Sequence, residues 1–280
     1  MSRGQQNRNQ QGSRRRRRRD WEAAPSVRRP SQFYGDESRR IVYVAGEGQK
    51  TERDYVTLLN HAYGERGKFF LNFAETRKGL RPTEVVDLVR ASASDPGDEK
   101  WALFDRDTLD NRDQDIPEAM RDAARYGVQV ALSHPSFELW LLLHFQQFTG
   151  QEGGISDTVV QRLRAHREAK GFENYDTGSG DQGKGITEEQ ARTLTDPDKR
   201  RERTAVRNAR KLVGMCAHGG CSGRDADHSV IPGPGTETYE QWTRRSGHAA
   251  NCDPLKRDPS SDVWRLLVQL GIVEDETRGG

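Results

Sequence analysis

The sequence predicts an α/β protein, with a mainly parallel sheet flanked by helices, a basic tail before it and a mostly α-helical addition after it. Three observations predict this. Short β-branched and aromatic runs alternate with helical patterns at close spacing, which is the order of βαβ units. Those runs are apolar at almost every position, as strands covered on both faces are. Apolar residues are concentrated between Ile41 and Phe148, and the texture changes at Gly150. The expected division is a disordered Arg-rich tail at 1–38, an α/β core at 39–149 and a helical region at 150–280 that packs on the core.

The first strand is Ile41 to Ala45, too short for a helix. It stops at Gly46-Glu47-Gly48, with a helical pattern starting near Thr51, a plausible N-cap. Tyr55, Leu58, Leu59 and Ala62 form one stripe of a helix from Glu52 to Tyr63. Phe69 to Phe73 is the second strand. Pro82 sits in the first turn of the second helix, whose buried side is Val85, Val86, Leu88 and Val89. Lys100 to Phe104 is the third strand and runs into Asp105-Arg106-Asp107. A helix from about Ile116 to Tyr126 stops at Gly127, and Val128 to Leu132 is the fourth strand. Ser133-His134-Pro135 ends it, and Ser136 is positioned to cap the apolar helix Phe137 to Phe145. Beyond Gly150 the sequence predicts a polar helix from Ser156 to Lys170 and a glycine-rich loop from Glu173 to Gly185. A long charged helix from Thr187 to Val213, with a break at Asp196-Pro197, then leads into an irregular Gly, Pro and His segment. A closing helix spans Ser261 to Leu270.

The chain has 280 residues and a net charge of +2, unevenly spread. Residues 1–40 hold twelve arginines and four acids, a net of +8, which leaves −6 for the remainder. The tail has too few apolar groups to offset its ordering entropy. Its unbroken run Arg14, Arg15, Arg16, Arg17, Arg18 and Arg19 suits salt-sensitive contacts to nucleic-acid phosphates, or serves only for solubility. The acidic remainder does not suit passive nucleic-acid binding but does suit carboxylates that hold metal. No apolar run approaches the ~18 residues of a membrane span, and no secretory signal is present. Three cysteines in a chain this long point to a reducing, cytoplasmic setting.

A glutamate between two glycines, where a strand gives way to a helix, lies at the carboxyl edge of an open sheet, where ligands bind. Asp105 and Asp107 end another strand. Residues i and i+2 of an extended segment point the same way, at ~3.3 Å of rise per residue, so both carboxylates can reach one hard cation. If the two strands are neighbours, Glu47, Asp105 and Asp107 converge. Mg²⁺ takes one or two carboxylates and keeps water and phosphate oxygens, which suits phosphodiester chemistry. A turn with solvated acids is the competing reading of each motif alone.

Together EGQKTE (Glu47 to Glu52), WALFDRD (Trp101 to Asp107) and SHPSFELWLLLHF (Ser133 to Phe145) resemble the RloB family, a bacterial family met near restriction–modification and other phage-defence genes. The resemblance covers Ile41 to Phe148 and extends weakly to Pro259–Leu270. It implies a divergent Toprim-type core, the metal-dependent fold of topoisomerases, primases and OLD-type nucleases. On that resemblance Glu47 matches the Toprim glutamate, an acid/base or metal ligand, and Asp105 and Asp107 match the metal pair. Glu52 is a second acid of the first motif, or only a glutamate favoured by the helix dipole. Ser133 and Glu138 belong to the third motif. Glu138, in an otherwise apolar helix, needs a partner, either metal or an arginine such as Arg106. His144 reads as a satisfied core histidine. Tyr175 and Lys184 flank the glycine-rich loop, and Lys184 is placed to neutralise phosphate charge.

Cys216, His218, Cys221, His228, His248 and Cys252 fall within thirty-seven residues. Cys216, Cys221, His248 and Cys252 are a candidate structural zinc set. Their spacing is not that of a standard knuckle, this region is longer than the resemblance leads one to expect, and unrelated loop residues are the competing reading.

The expected activity is a Mg²⁺- or Mn²⁺-dependent nuclease acting on DNA or RNA, tRNA included, in anti-phage defence. The alternative is a non-catalytic nucleic-acid-binding or sensor subunit that uses the Arg tail. Nucleotidyl transfer on the same core ranks last, because no separate nucleotide pocket is visible. No P-loop is present, so an ATPase partner, if the activity needs one, would be another chain encoded nearby. A homodimer is compatible with the sequence, and no membrane partner is expected.

Overall fold

The computed structural model describes residues 39–48, 50–75, 79–95, 97–107, 113–150, 155–178 and 183–275. The Arg14–Arg19 run lies outside them. Four parallel strands form the sheet, namely β1 (Arg40–Gly46), β2 (Phe69–Phe73), β3 (Glu99–Asp105) and β4 (Gln129–His134). The order is β2-β1-β3-β4, with a two-residue strand β5 (Ser260–Ser261) antiparallel to β4 at the edge. The sheet is thus mainly parallel, as expected. β5 was not expected: two serines carry no strand signature and are recruited by the edge of β4.

Alternation along the strands divides the core into two faces. Val42, Val44, Trp101, Leu103 and Ala131 face one apolar cluster. It also holds Tyr55, Val56 and Leu59 of α1 (Thr51–Leu59) and the whole apolar run of α4 (Phe137–Leu143). Tyr43, Ala45, Ala102, Phe104, Val130 and Leu132 face the other cluster, with α2 (Pro82–Ser92) and α3 (Asp115–Tyr126). Gly127, at φ +65°, ends α3 as the sequence predicts.

The C-terminal half adds α5 (Asp157–Ala165), α6 (Glu188–Leu194), α7 (Arg201–Gly214), α8 (Tyr239–Arg245) and α9 (Val263–Gln269). The break at Asp196-Pro197 separates α6 from α7. The segment expected to be irregular contains α8, whose Trp242 is buried in the second cluster and donates to the Val128 carbonyl (3.1 Å). α5, α7 and α9 share the first cluster with the sheet, so the core is continuous from β1 to α9. Among the described residues no helix is long and apolar enough to cross a membrane.

Candidate active site

β1 lies beside β3, with Gly46 opposite Leu103, and β3 lies beside β4, with Asp105 opposite Ser133. The chain leaves β1 towards β2 on one side and reaches β3 on the other, so the strand order reverses between β1 and β3. A crevice opens at the carboxyl ends of strands at such a point. Glu47 continues the β1 ladder, its N–H donating to the Leu103 carbonyl (3.2 Å). The condition set by the sequence is met: the strands that end in Glu47 and Asp105 are neighbours.

The carboxylates of Glu47, Glu52, Asp105, Asp107 and Glu138 line one cavity of about 310 Å³, together with Lys50, Ser136, Ser156 and Lys184. Hydrogen bonds hold four of the five acids. Glu52, in the first turn of α1, accepts from the Gly48 N–H (3.1 Å), and a side chain at Gly48 would overlap that carboxylate. Asp105 accepts from the Phe137 N–H (3.0 Å), which ties the end of β3 to the start of α4. Asp107 accepts from the Ser156 hydroxyl (3.3 Å). Glu138 accepts from the buried Tyr175 hydroxyl (2.8 Å), which itself lies 2.8 Å from the Thr51 hydroxyl.

The electrostatics are those of crowded like charges. Burial first, then the carboxylates of Glu52, Glu47 and Glu138, push Asp105 well above the ordinary aspartate range, against the pull of the Phe137 N–H. Burial raises Glu52 as well, and Glu138 adds to it. Burial alone would lower Lys184, but Glu138, Asp176, Asp105 and Glu52 outweigh it and raise its pKa. The pocket therefore holds five acids against two lysines.

Several sequence expectations need correction. Thr51 is the first helical residue rather than the cap, and its hydroxyl is used on Tyr175. Ser136 does not cap α4 with its side chain; its hydroxyl is buried at the pocket wall with no hydrogen-bond partner among the described residues. Arg106 does not meet Glu138, because it forms a two-pronged pair with Asp113 (2.9 Å) and contacts His134 (3.0 Å). Ser133 is buried beside Ser261 (3.4 Å) and is not among the pocket-lining residues. His144 is a satisfied core histidine: Nδ1 meets the Trp140 carbonyl (2.9 Å), Nε2 lies 3.4 Å from the Tyr55 hydroxyl, and burial lowers its pKa to about 4. Glu52, read as a helix-start glutamate, is that and also a buried member of the pocket. Lys50, Ser136 and Ser156 were missed as site residues, although Lys50 and Ser136 stand inside the quoted motifs.

The donor set is hard oxygen, suited to Mg²⁺ or Mn²⁺ rather than a thiophilic ion. Among the described residues no three of these carboxylates are gathered as closely as Cys216, Cys221, His248 and Cys252, so an ion held here would keep water among its ligands, as Mg²⁺ does. The unpartnered Ser136 hydroxyl and the raised Asp105 both fit a pocket completed by a cation and its water.

Lys184 reaches the pocket from a loop anchored by Asp54, which accepts from the Ile186 N–H (3.1 Å). Gly185 stands at φ +122°, and a Cβ there would come within 2.9 Å of the Asp54 carboxylate. Gly185→Ala is expected to cost about 1–3 kcal/mol, the usual range for a strained backbone, measurable by denaturant melts of the two proteins.

Fold and pocket together define a class: an α/β protein whose sheet carries an acidic, oxygen-donor site at its reversal point. Within that class the chain belongs to the RloB-like protein family, whose model matches residues 42–270, from β1 through α9. No curated protein and no solved structure matches the chain.

Proposed function

We propose that the chain is a Mg²⁺- or Mn²⁺-dependent nuclease whose centre is the Glu47–Asp105 pocket. One observation carries this reading: five carboxylates and two lysines from separate parts of the chain line a single cavity where the strand order reverses. An acidic crevice repels a phosphodiester unless a cation is present, and an uncompensated cluster of buried carboxylates is costly. Glu47, Asp105 and Asp107 would hold the ion, with Glu138 beside them. A bound divalent ion polarises the phosphoryl oxygen and supplies an activated water. Where Glu47 meets the ion only through bound water, its carboxylate, at the mouth of β1, would instead take up or return a proton. Lys184, kept charged by Glu138 and its neighbours, offsets charge that develops on the phosphoryl oxygens. Tyr175 positions Glu138. A role in phage defence follows from the family resemblance and goes with this reading.

The test uses the full-length chain with labelled single- and double-stranded DNA, RNA and tRNA, in Mg²⁺, Mn²⁺ or EDTA. Cleavage that requires the divalent ion and survives deletion of residues 1–38 supports a nuclease. Binding lost on that deletion, with no cleavage of any substrate under any condition, supports the non-catalytic subunit instead.

A further inference from the structure

We propose that Cys216, Cys221, His248 and Cys252 form a structural zinc site that clasps two loops of the C-terminal region. All four ligand atoms lie within 4.8 Å of one another, although the residues come from separate loops. One loop follows α7 and carries Cys216 and Cys221; the other follows α8 and carries His248 and Cys252. The Ser222 N–H donates to the Gly247 carbonyl (2.8 Å) and holds the two together.

Two edges of the group have the lengths of tetrahedral coordination, and the others lie within 4.8 Å. With Zn–S of about 2.3 Å and Zn–N of about 2.1 Å, a tetrahedron has S···S edges of about 3.8 Å and S···N edges of about 3.6 Å. Cys216 Sγ and Cys252 Sγ are 3.7 Å apart, and Cys252 Sγ is 3.8 Å from His248 Nδ1. Cys221, Cys252 and His248 are buried, as ligands of a closed structural site are.

The surroundings complete the arrangement of such a centre. His248 Nε2 meets the buried Asp262 carboxylate (3.2 Å), which turns Nδ1 to the three sulfurs. A ligating histidine is held this way by a carboxylate on its other nitrogen. Asp262 lies in turn 3.4 Å from Arg257. The Ala249 N–H donates to Cys221 Sγ (3.3 Å). His218 is a neighbour and not a ligand: Nε2 accepts from the Asp253 N–H (3.1 Å), so Nδ1 carries the proton and donates to Cys216 Sγ (3.0 Å). Three sulfurs and one imidazole at one point select zinc over the hard ions of the acidic pocket. The clasp precedes Asp262, whose N–H donates to the Leu132 carbonyl (2.9 Å), so it anchors the segment that lays β5 against β4.

The experiment measures zinc in the full-length chain, purified without added metal, by elemental mass spectrometry. The expected result is one zinc per chain, released in full when a mercurial reagent titrates the thiols of the wild-type protein. Growth in cobalt should give the sulfur-to-cobalt charge-transfer band of a tetrahedral site. Cys252→Ser should lose the metal and His248→Cys should keep it; if Cys252→Ser does not fold, the wild-type titration and the cobalt spectrum decide. Zinc at background level with three freely titrating thiols overturns the proposal, and so does a Cys216–Cys252 disulfide in the intact mass.

Discussion

Asp105→Asn is expected to abolish divalent-ion-dependent cleavage while making the metal-free protein more stable at neutral pH. The loss should be about 10²–10³-fold or greater, the scale seen when one preorganised electrostatic group is removed from a site. Asparagine can still accept from the Phe137 N–H, so the junction of β3 and α4 is preserved. The stability gain follows from crowding. Burial and the charges of Glu52, Glu47 and Glu138 raise the folded-state pKa of Asp105. A raised carboxylate favours folding below its unfolded value near 3.8 and loses that contribution as pH rises through the folded value. Without metal, the wild-type melting temperature should therefore fall from acid towards neutral pH more than that of the variant. For a chain of this size each kcal/mol of repulsion removed raises the melting temperature by roughly 2–4 °C. Adding Mg²⁺ should raise the wild-type melt and leave Asp105→Asn nearly unmoved. Equal cleavage by the two proteins would show that Asp105 holds no reacting ion.

Trp264→Ala is expected to cost about 3–5 kcal/mol, as removal of a fully buried tryptophan does. Trp264 is in α9, completely buried, with the Arg210 guanidinium 4.8 Å from its ring centre and the His228 ring at 5.2 Å. It belongs to the cluster that also contains Val42, Val44, Trp101 and Leu103 of the sheet. Because the cluster runs from β1 to α9, the whole described body should melt in one transition, lower in the variant. The check is a denaturant melt followed both by tryptophan fluorescence and by far-ultraviolet circular dichroism. Two separate transitions, with only one moved by the substitution, would mean that the C-terminal region folds as an independent unit.

The strands and helices from β1 to α4 were legible because their apolar runs are continuous and bounded by glycine, proline and charge. The acidic centre was legible for the same reason: Asp105 ends β3, Glu47 and Asp107 stand just past strand ends, and strand ends are marked in the sequence. What brings Tyr175 to Glu138 is tertiary, since the two are 37 residues apart and no local pattern links them. Likewise, Ser133 and Glu138 share one motif, yet only Glu138 faces the cavity, because Ser133 points to β5. α8 was hidden by its polar surface and its setting among Gly, Pro and His, with Trp242 as its one strong apolar anchor. The cysteine–histidine set was visible as a composition, but its irregular spacing gave no geometry until the two loops were placed side by side.

The most direct test of the acidic centre is the anomalous diffraction of Mn²⁺ soaked into crystals of the wild-type chain. A peak in the crevice between β1 and β3, with oxygens of Asp105 and Glu47 at about 2.2 Å or linked to it through bound water, is the predicted result. A crevice without manganese, in crystals of protein that still cuts nucleic acid when Mn²⁺ is supplied, would contradict it.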